Sequence, residues 1–258
     1  MTKKQCSSKQ KPLLIYIHIP KSGGTTLTDI IYRQYADNIL YDVNRYGLNQ
    51  QSVLLLKEKL TTADTLCGHL LFGVHHHISR PCTYITMLRN PVDQVLSWFY
   101  FAHKNLDQYK ELFFEGTIDE YINNPDFDYY TINFQTRFIT GSDIADLEIA
   151  KETIANNFSV VGITELFDES LYIMKKEFGW KNVKYQKLNV NAQRARREHI
   201  PQTAIDKIVE KNEIDFQLYR GCCKTKINMQ CYESEKLAEH AVDSDFDHTN
   251  EAVPALYL

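Results

Sequence analysis

The first long apolar run of the chain covers residues 13–19 (LLIYIHI) and shows no alternation between hydrophobic and polar positions. A continuous run of β-forming residues is typical of a central strand in a parallel sheet whose two faces are covered by helices. The loop-forming residues 20–24 follow, and a helix is predicted from about Thr25. The chain therefore opens with a buried strand, a loop and a helix.

Short apolar runs and helical patterns continue to alternate as far as residue 219. Strands that alternate with helices predict an α/β fold, in which right-handed crossovers connect a central parallel sheet flanked by helices. The further predicted strands are 65–68, 84–88 and 158–163, and the further predicted helices are 91–105, 117–123, 131–139, 144–156, 165–178 and 201–219.

A chain of 258 residues is long enough for one sizeable domain with its own core. We predict a flexible, lysine-rich arm over residues 1–11 and one domain over residues 12–222. A polar C-terminal extension over residues 223–258 contains one candidate helix, near 234–242.

The net charge and the cysteines restrict which ligands the protein is expected to bind and in which cellular compartment it is expected to lie. The net charge of −4 argues against a nucleic-acid partner, so an anionic ligand would need local positive charge. The six cysteines include no CxxC pair, which argues against a metal site. The run at 13–19 is too short and too polar for a membrane span or a signal-peptide core. These features predict a cytoplasmic protein with reduced thiols.

The segment between the first strand and its helix has the residues of a phosphate-binding loop. Gly23 and Gly24 allow a tight turn and close approach of the backbone to an anion, and the helix N-terminus supplies free N–H groups. Lys21, Thr25 and Thr26 add donors. The loop is not a Walker A motif, because Lys21 precedes the glycines instead of following them. The alternative is an ordinary strand-to-helix turn.

A second pair of polar residues follows the strand at 84–88. Arg89 lies at the carboxyl end of that strand, where open α/β sheets bind ligands. Ser97 lies in the next helix, about 100° or more from the centre of its apolar stripe, and is therefore able to face a ligand. The alternative is a surface arginine and a helical serine without a role. The stripe consists of Val92, Val95, Leu96 and Phe99.

These two motifs resemble those of the sulfotransferase superfamily, in the version typical of heparan sulfate 2-O-sulfotransferases and their bacterial relatives. The resemblance implies a P-loop-like three-layer fold, with 3′-phosphoadenosine-5′-phosphosulfate (PAPS) as the co-substrate and no metal. It also implies a hydroxyl-bearing acceptor, a glycan or glycolipid. The implied PAPS contacts are Lys21, Ser22, Gly23, Gly24, Thr25 and Thr26 at the phosphosulfate, Arg89 and Ser97 at the 3′-phosphate, and Asn191 and Arg196 in a later basic loop.

The resemblance also implies two catalytic residues. His69, in a Gly-His pair after the strand at 65–68, corresponds to the general base that would deprotonate the acceptor hydroxyl. Lys21 would stabilise the charge on the bridging phosphate oxygen during an in-line displacement. One departure concerns Cys67, because the 2-O-sulfotransferases have a second histidine at that position. Their uronic-acid substrate is therefore in doubt for this chain.

Several segments leave alternatives open. Residues 133–137 and 160–165 extend the resemblance, and Gln135 and Arg137 are either acceptor contacts or parts of a capped or salt-bridged helix. The basic loop at 191–197 is either a closing segment over the nucleotide or a solvated charge run. The histidine run at 75–77 is expected to be a solvated loop near the active site and not a metal site, because three neighbouring residues cannot easily converge on one ion.

Two other functions are compatible with a phosphate-binding loop. One is an ATP-dependent kinase with an atypical loop, which would need Mg²⁺. The other is a nucleotide-binding protein without turnover. The presence of Lys21, Arg89, Ser97 and His69 together argues against loss of catalysis.

Overall fold

The computed structural model describes residues 11–35, 38–42, 59–104, 107–186 and 199–225. The predicted helix near 234–242 and nearly all of the predicted arm lie outside the described residues. No helix in the described part of the chain is both long enough and apolar enough to cross a membrane.

A parallel sheet forms the centre of the described part of the molecule. Its strands are β1 (Leu13–Ile17), β2 (Ile39–Asp42), β3 (Thr65–Gly68), β4 (Cys82–Leu88) and β5 (Phe158–Ile163). They are arranged in the order β2-β3-β1-β4-β5, and every neighbouring pair is parallel. This confirms the predicted α/β class.

Helices connect most of the strands, and three further helices follow β5 among the described residues. They are α1 (Gly24–Tyr35), α2 (Pro91–Ala102), α3 (Ile118–Asn123), α4 (Asp128–Thr131), α5 (Phe134–Thr140), α6 (Leu147–Asn157), α7 (Phe167–Phe178), α8 (Gln202–Lys211) and α9 (Glu213–Thr225). Short 3₁₀ turns cover Val74–His77, Asp107–Leu112, Pro125–Phe127 and Thr164–Leu166.

The central strand β1 supplies both hydrophobic cores, because successive side chains of a strand point to opposite faces. Leu13, Ile15 and Ile17 pack into the larger core, together with α2, α3, α5, α6, α8 and α9. Leu14 and Tyr16 pack into the smaller core, against α1 and α7. The sheet is therefore the middle of three layers, which explains why residues 13–17 show no polar alternation.

Three details differ from the sequence-based prediction. The edge strand β2 has only four residues and its pattern does not predict it. The predicted helix at 131–139 is two helices, because Ile132 has extended backbone and Asn133 is left-handed with φ of 44°. The predicted helix at 201–219 is also two helices. It breaks at Asn212, whose buried amide donates to the carbonyls of Thr131 (2.7 Å) and Ile208 (2.9 Å).

Candidate active site

The loops that carry the predicted site residues meet at the carboxyl edge of the sheet. Residues 18–23 follow β1, His69 follows β3 and Arg89 follows β4. Because β3 and β4 both pair with β1, three adjacent strand ends bring these residues together. This is the edge at which open parallel sheets bind their ligands.

Residues 18–24, which we call the anion loop, turn through two left-handed positions. Gly23 has φ of 74°, a conformation that glycine adopts without steric cost. Lys21 has φ of 66°, which is uncommon for a residue with a side chain and is concentrated at functional sites. α1 begins at Gly24, the last residue of the anion loop. The first N–H groups of a helix have no partner within it, so this end can bind an anion.

Three consecutive carbonyl groups of the anion loop accept hydrogen bonds from side chains of other elements. The donors come from α2, from the end of β4 and from the turn after β5. Carbonyl oxygens held in this way leave the N–H side of the loop for a negatively charged ligand. The three bonds are Gln94 Nε2 to the Pro20 carbonyl (3.4 Å), Arg89 Nη1 to the Lys21 carbonyl (2.8 Å) and Thr164 Oγ1 to the Ser22 carbonyl (3.0 Å).

The imidazole ring of His18 leaves no room for a side chain at Gly24. A Cβ atom at this position would lie 1.9 Å from Cδ2 and Nε2 of His18, and His18 itself is buried. From the sequence, both glycines are expected to allow the approach of an anion. The structure gives Gly24 an additional role, which is to make room for the imidazole of His18.

The imidazole of His18 packs edge-on against that of His69, with 4.6 Å between the ring centroids. On its other side the ring of Tyr16 is stacked at 5.7 Å and nearly parallel. Burial lowers the pKa of His18 well below its ordinary value, and the neighbouring His69 and Lys21 lower it further. His18 is therefore neutral near physiological pH, and it supports the half-buried His69 without adding a positive charge beside it.

Cys67, two residues before His69, is fully buried in β3. Burial raises the pKa of its thiol to about 12, against a smaller opposing effect of its contact with the Thr65 hydroxyl. A thiol with this pKa stays protonated at neutral pH and is a poor nucleophile and a poor base. Cys67 therefore does not replace the second histidine of the 2-O-sulfotransferases chemically.

Lys21 is a half-buried cation in an unusual environment. Its Nζ lies 4.1 Å from the centroid of the Phe101 ring and 5.6 Å from that of Trp98, which are cation–π distances. Burial lowers the pKa of Lys21 to about 8, and the positive charges of Lys104 and Arg89 contribute to this shift. Trp98 belongs to the larger hydrophobic core, and Phe101 packs against that core. Phe101 and Trp98 also contact the site lysine.

Ser22 is fully buried, and its hydroxyl oxygen has no hydrogen-bond partner among the described residues. A buried polar group without a partner is uncommon in proteins and often marks the place of a ligand or a water molecule. The hydroxyl belongs to the anion loop, between Lys21 and Gly23. Its position fits a donor to a bound phosphate or sulfate oxygen.

The backbone of Arg89 is held by the side chain of Gln135, which is buried in α5. Oε1 of Gln135 accepts from the Arg89 N–H and Nε2 donates to the Arg89 carbonyl, both at 2.8 Å. The next N–H, of Asn90, donates to Glu165 Oε1 at 2.9 Å. Gln135 thus positions the backbone of Arg89, a role that neither of the two alternatives for this residue describes. The resemblance of residues 133–137 to the family pointed to Gln135, but the sequence does not show that Gln135 bonds to the backbone of Arg89.

Ser97 lies on α2, eight residues after Arg89. The predicted stripe of Val92, Val95, Leu96 and Phe99 is buried, whereas Ser97 is only half-buried. Gln94 is also buried, where it contacts the anion loop, so the helix is enclosed more widely than the stripe predicts. The burial of α2 is thus consistent with a serine that is accessible from the ligand side.

A comparison with protein families decides the class of the molecule. The model of the galactose-3-O-sulfotransferase family matches residues 2–233. The chain belongs to this family. The match confirms the predicted membership of the sulfotransferase superfamily.

Two individual proteins are similar to this family member. Mouse galactose-3-O-sulfotransferase 2 is 24% identical over 250 residues, which cover 82% of this chain and 61% of the mouse protein. The chain thus spans about three fifths of the length of that relative. Among solved structures, mouse sulfotransferase SULT7A1 in complex with PAP is 13% identical, with a TM-score of 0.46 over 82% of this chain and 89% of that one.

The remaining sequence-based predictions for this galactose-3-O-sulfotransferase family member concern the basic loop, the histidine run and a metal site. Asn191 and Arg196 lie outside the described residues. His75 is half-buried, and its Nδ1 lies 2.8 Å from the hydroxyl of Tyr84, whereas His76 and His77 are exposed. Within the described ranges, no group of three or more His, Cys, Asp or Glu side chains is arranged to hold a metal ion.

Proposed function

We propose that this protein transfers a sulfuryl group from PAPS to a hydroxyl of a carbohydrate acceptor. The observation that carries the proposal is the hydrogen bond between Arg89 Nη1 and the carbonyl of Lys21, which joins the anion loop to the second predicted anion site. Two anion sites in fixed relation suit a nucleotide with phosphate groups on both the 5′ and the 3′ position. The family match and the name of the mouse relative support sulfuryl transfer.

The described residues fit such a ligand. The positive charges of Arg89 and Lys104 both act on Lys21, so a dianionic group bound beside Lys21 would relieve this repulsion. Ser22 offers a buried hydroxyl that has no hydrogen-bond partner among the described residues. Arg89 and Ser97 are proposed to bind the 3′-phosphate, as the resemblance implies, and Thr25 and Thr26 to bind the phosphosulfate at the start of α1.

In the proposed reaction His69 accepts the proton of the acceptor hydroxyl as the new bond between that oxygen and sulfur forms. Lys21 stabilises the negative charge that remains on the bridging phosphate oxygen when its bond to sulfur breaks. PAPS, when bound, supplies the activated sulfuryl group, and 3′,5′-diphosphoadenosine (PAP) is the product. His18 holds the ring of His69 through the edge-on contact and excludes water from that side.

The proposed acceptor is a galactoside. The family description and the mouse relative both name galactose 3-O-sulfation, and the exchange of a histidine for Cys67 argues against a uronic acid. The expected cytoplasmic location stays a prediction.

The nucleotide site is tested by comparing PAP with AMP, which lacks the 3′-phosphate. Because a hydrogen bond to a charged group contributes about 1.5–3 kcal/mol, Arg89→Ala should weaken PAP binding roughly 10- to 150-fold. AMP should bind the wild type weakly and lose little more in the variant. Ser97→Ala should show the same selectivity with a smaller loss. Calorimetric titration of both nucleotides measures these differences.

Arg33→Ala is the matched control, because Arg33 lies in the last turn of α1, at the opposite end of that helix from the anion loop. It should leave both affinities unchanged. Equal affinity of the wild type for PAP and AMP would contradict the proposal, as would turnover with ATP and Mg²⁺ in place of PAPS. Tight PAP binding without transfer of radiolabelled sulfate to any galactoside would indicate a nucleotide-binding protein without turnover.

A further inference from the structure

The helix α2 has a second face, on the side opposite to its apolar stripe. The residues of this face are spaced three or four positions apart, so their side chains project in the same direction. One of them, Gln94, is buried and donates to the carbonyl of Pro20 in the anion loop. This loop-facing side of α2 consists of Gln94, Ser97, Trp98 and Phe101.

Two aromatic rings of the loop-facing side lie against the ammonium of Lys21. Its Nζ is 4.1 Å from the centroid of the Phe101 ring and 5.6 Å from that of the Trp98 ring. Both distances are within the roughly 6 Å over which the face of an aromatic ring attracts a cation. The two rings pack edge to face, with 5.8 Å between their centroids and an angle of 82° between their planes. We call this pair of rings the aromatic corner.

The aromatic corner is fixed by the packing of the domain. Trp98 is buried, and its ring packs against those of Tyr130 at 4.8 Å and Phe134 at 5.8 Å. Phe101 is half-buried and packs against the same core. The position at which the corner holds an ammonium is therefore set by α2 and the core, and not by the anion loop alone.

The surroundings of Lys21 otherwise disfavour its positive charge. Burial lowers its pKa to about 8, and the like charges of Lys104, just after α2, and of Arg89, at the end of β4, contribute to this shift. His18, in the same loop, is neutral because its own pKa lies well below the ordinary value. The faces of aromatic rings act in the opposite direction, since they attract a cation without neutralising its charge.

We propose that Phe101 and Trp98 are positioning residues, which hold the protonated amino group of Lys21 in place for the sulfuryl-transfer step. The inference rests on the proposed function, in which this amino group stabilises the charge on the bridging phosphate oxygen. A carboxylate partner would cancel part of the positive charge that the leaving oxygen needs, whereas an aromatic ring leaves that charge available. The aromatic corner therefore serves catalysis through Lys21 and has no contact of its own with the reacting atoms.

The first test weakens the attraction of the Phe101 ring for a cation. Incorporation of 3,4,5-trifluorophenylalanine at position 101 keeps the shape of the ring but withdraws electrons from its face, and Phe101→Leu removes the ring. Acetic anhydride acetylates only the unprotonated amine, so the acetylation rate of Lys21 between pH 6 and pH 10, followed by peptide mass spectrometry, gives its titration midpoint without a nucleotide. The midpoint should fall by roughly 0.4–1.5 pH units in Phe101→Leu and by part of this with the fluorinated ring, because the charged form loses support. Phe101→Tyr should restore it.

The second test measures the reaction. In Phe101→Leu, kcat should fall roughly 10- to 100-fold, because a displaced amino group stabilises the leaving oxygen less well. The KM for a galactoside acceptor should change less than about twofold, since the loss concerns the transition state and not the binding of the acceptor. Phe101→Tyr should recover most of kcat, as a ring of the same size again faces the ammonium.

Tyr100→Leu is the matched control, because Tyr100 is a half-buried aromatic residue of the same helix whose ring packs against Phe99 at 5.2 Å. It should change neither the midpoint of Lys21 nor kcat. An unchanged or raised midpoint with the fluorinated ring, or equal losses of kcat in Phe101→Leu and Tyr100→Leu, would overturn the inference. The fluorinated protein decides the question even if Phe101→Leu does not fold. A lowered midpoint in a protein that transfers no sulfuryl group would support the aromatic corner and contradict the proposed function alone.

Discussion

The ammonium group of Lys21 titrates within an accessible pH range, because burial and two neighbouring cations lower its pKa to about 8. PAP binding should require the protonated form. We therefore expect the association constant to be largest below pH 8 and to fall as the pH rises above it, by up to tenfold per pH unit. Lys21→Gln should bind more weakly throughout and lose this dependence. Calorimetry between pH 7 and pH 9.5 measures both curves.

An exposed lysine provides the control for this prediction. Lys151 on α6 forms an ion pair with Glu148, and Lys151→Gln should retain both the affinity and the pH dependence of the wild type. A wild-type affinity that stays constant from pH 7 to pH 9.5 would mean that Lys21 keeps its proton without the ligand, and that its pKa is not lowered.

His69 is the proposed general base, so His69→Ala should reduce kcat roughly 10²- to 10⁴-fold. PAP affinity should change less than twofold, because the imidazole acts on the acceptor and not on the nucleotide. Single-turnover kinetics and PAP titration measure the two effects separately. His77, which is exposed in the turn after β3, provides the control variant His77→Ala. A normal kcat in His69→Ala would exclude this residue as the base.

The residues of the site could be predicted from the sequence, but the backbone conformation and the contacts of several of them could not. The motif around Lys21 and the pair of Arg89 and Ser97 indicated an anion site. Lysine, arginine and glycine after the carboxyl ends of parallel strands are the residue types that bind anions. The left-handed backbone of Lys21 and the contact of His18 with His69 were not predictable. The contact depends on β1 and β3 being adjacent in space, and a local pattern does not contain this information.

At the scale of elements, α5 positions Arg89 and is itself fixed by α9. Asp215 of α9 is buried and accepts from the N–H groups of Gln135 (3.0 Å) and Thr136 (2.8 Å) at the start of α5. Burial raises the pKa of Asp215, although its hydrogen bonds oppose the shift. Asn133 Oδ1 accepts from the Asp215 N–H at 3.1 Å. Residues 133–137 therefore connect α5 to α9 and, through Gln135, to Arg89 at the end of β4.

Removal of the Gln135 side chain should therefore affect stability and binding together. Gln135→Ala leaves the N–H and carbonyl of Arg89 without these partners, which should lower the free energy of unfolding by about 1–3 kcal/mol. It should also weaken PAP binding, because Arg89 is no longer held in place. Denaturant unfolding and calorimetry measure the two changes.

Gln217→Ala is the comparison for this variant, because Gln217 is exposed on α9 and its side chain donates to Glu213, one turn earlier in the same helix, at 3.1 Å. It should change neither stability nor binding appreciably. If Gln135→Ala unfolded like the wild type and bound PAP normally, the amide of Gln135 would be irrelevant to Arg89.

The limits of helices were harder to predict than their existence. Both misplaced boundaries fall at asparagines, Asn133 and Asn212, whose side chains hydrogen-bond across the molecule and break a pattern that is otherwise helical. The N–H of Asn133 donates to Oδ1 of Asn212 at 2.8 Å, so the two breaks are in direct contact. A local sequence pattern cannot show that two residues far apart in the chain stop each other's helices.

At the scale of the whole molecule, the parallel sheet and its flanking helices followed from the alternation of apolar runs with helical patterns. The spatial order of the strands did not. β1 lies between β3 and β4, and the short edge strand β2 pairs only with β3 among the described strands. Strand order depends on how the crossovers pack, and this is a property of the assembled layers.

The three side chains that hold the carbonyls of the anion loop come from 68, 74 and 142 residues further along the chain. During synthesis the anion loop leaves the ribosome well before Thr164, the last of these three side chains. The nascent chain can therefore acquire nucleotide affinity only after β5 has joined the sheet, and contacts of such long sequence separation form slowly. A nucleotide that binds only the folded state stabilises that state relative to the unfolded chain. Because the site is joined to the sheet, this stabilises the five described strands together.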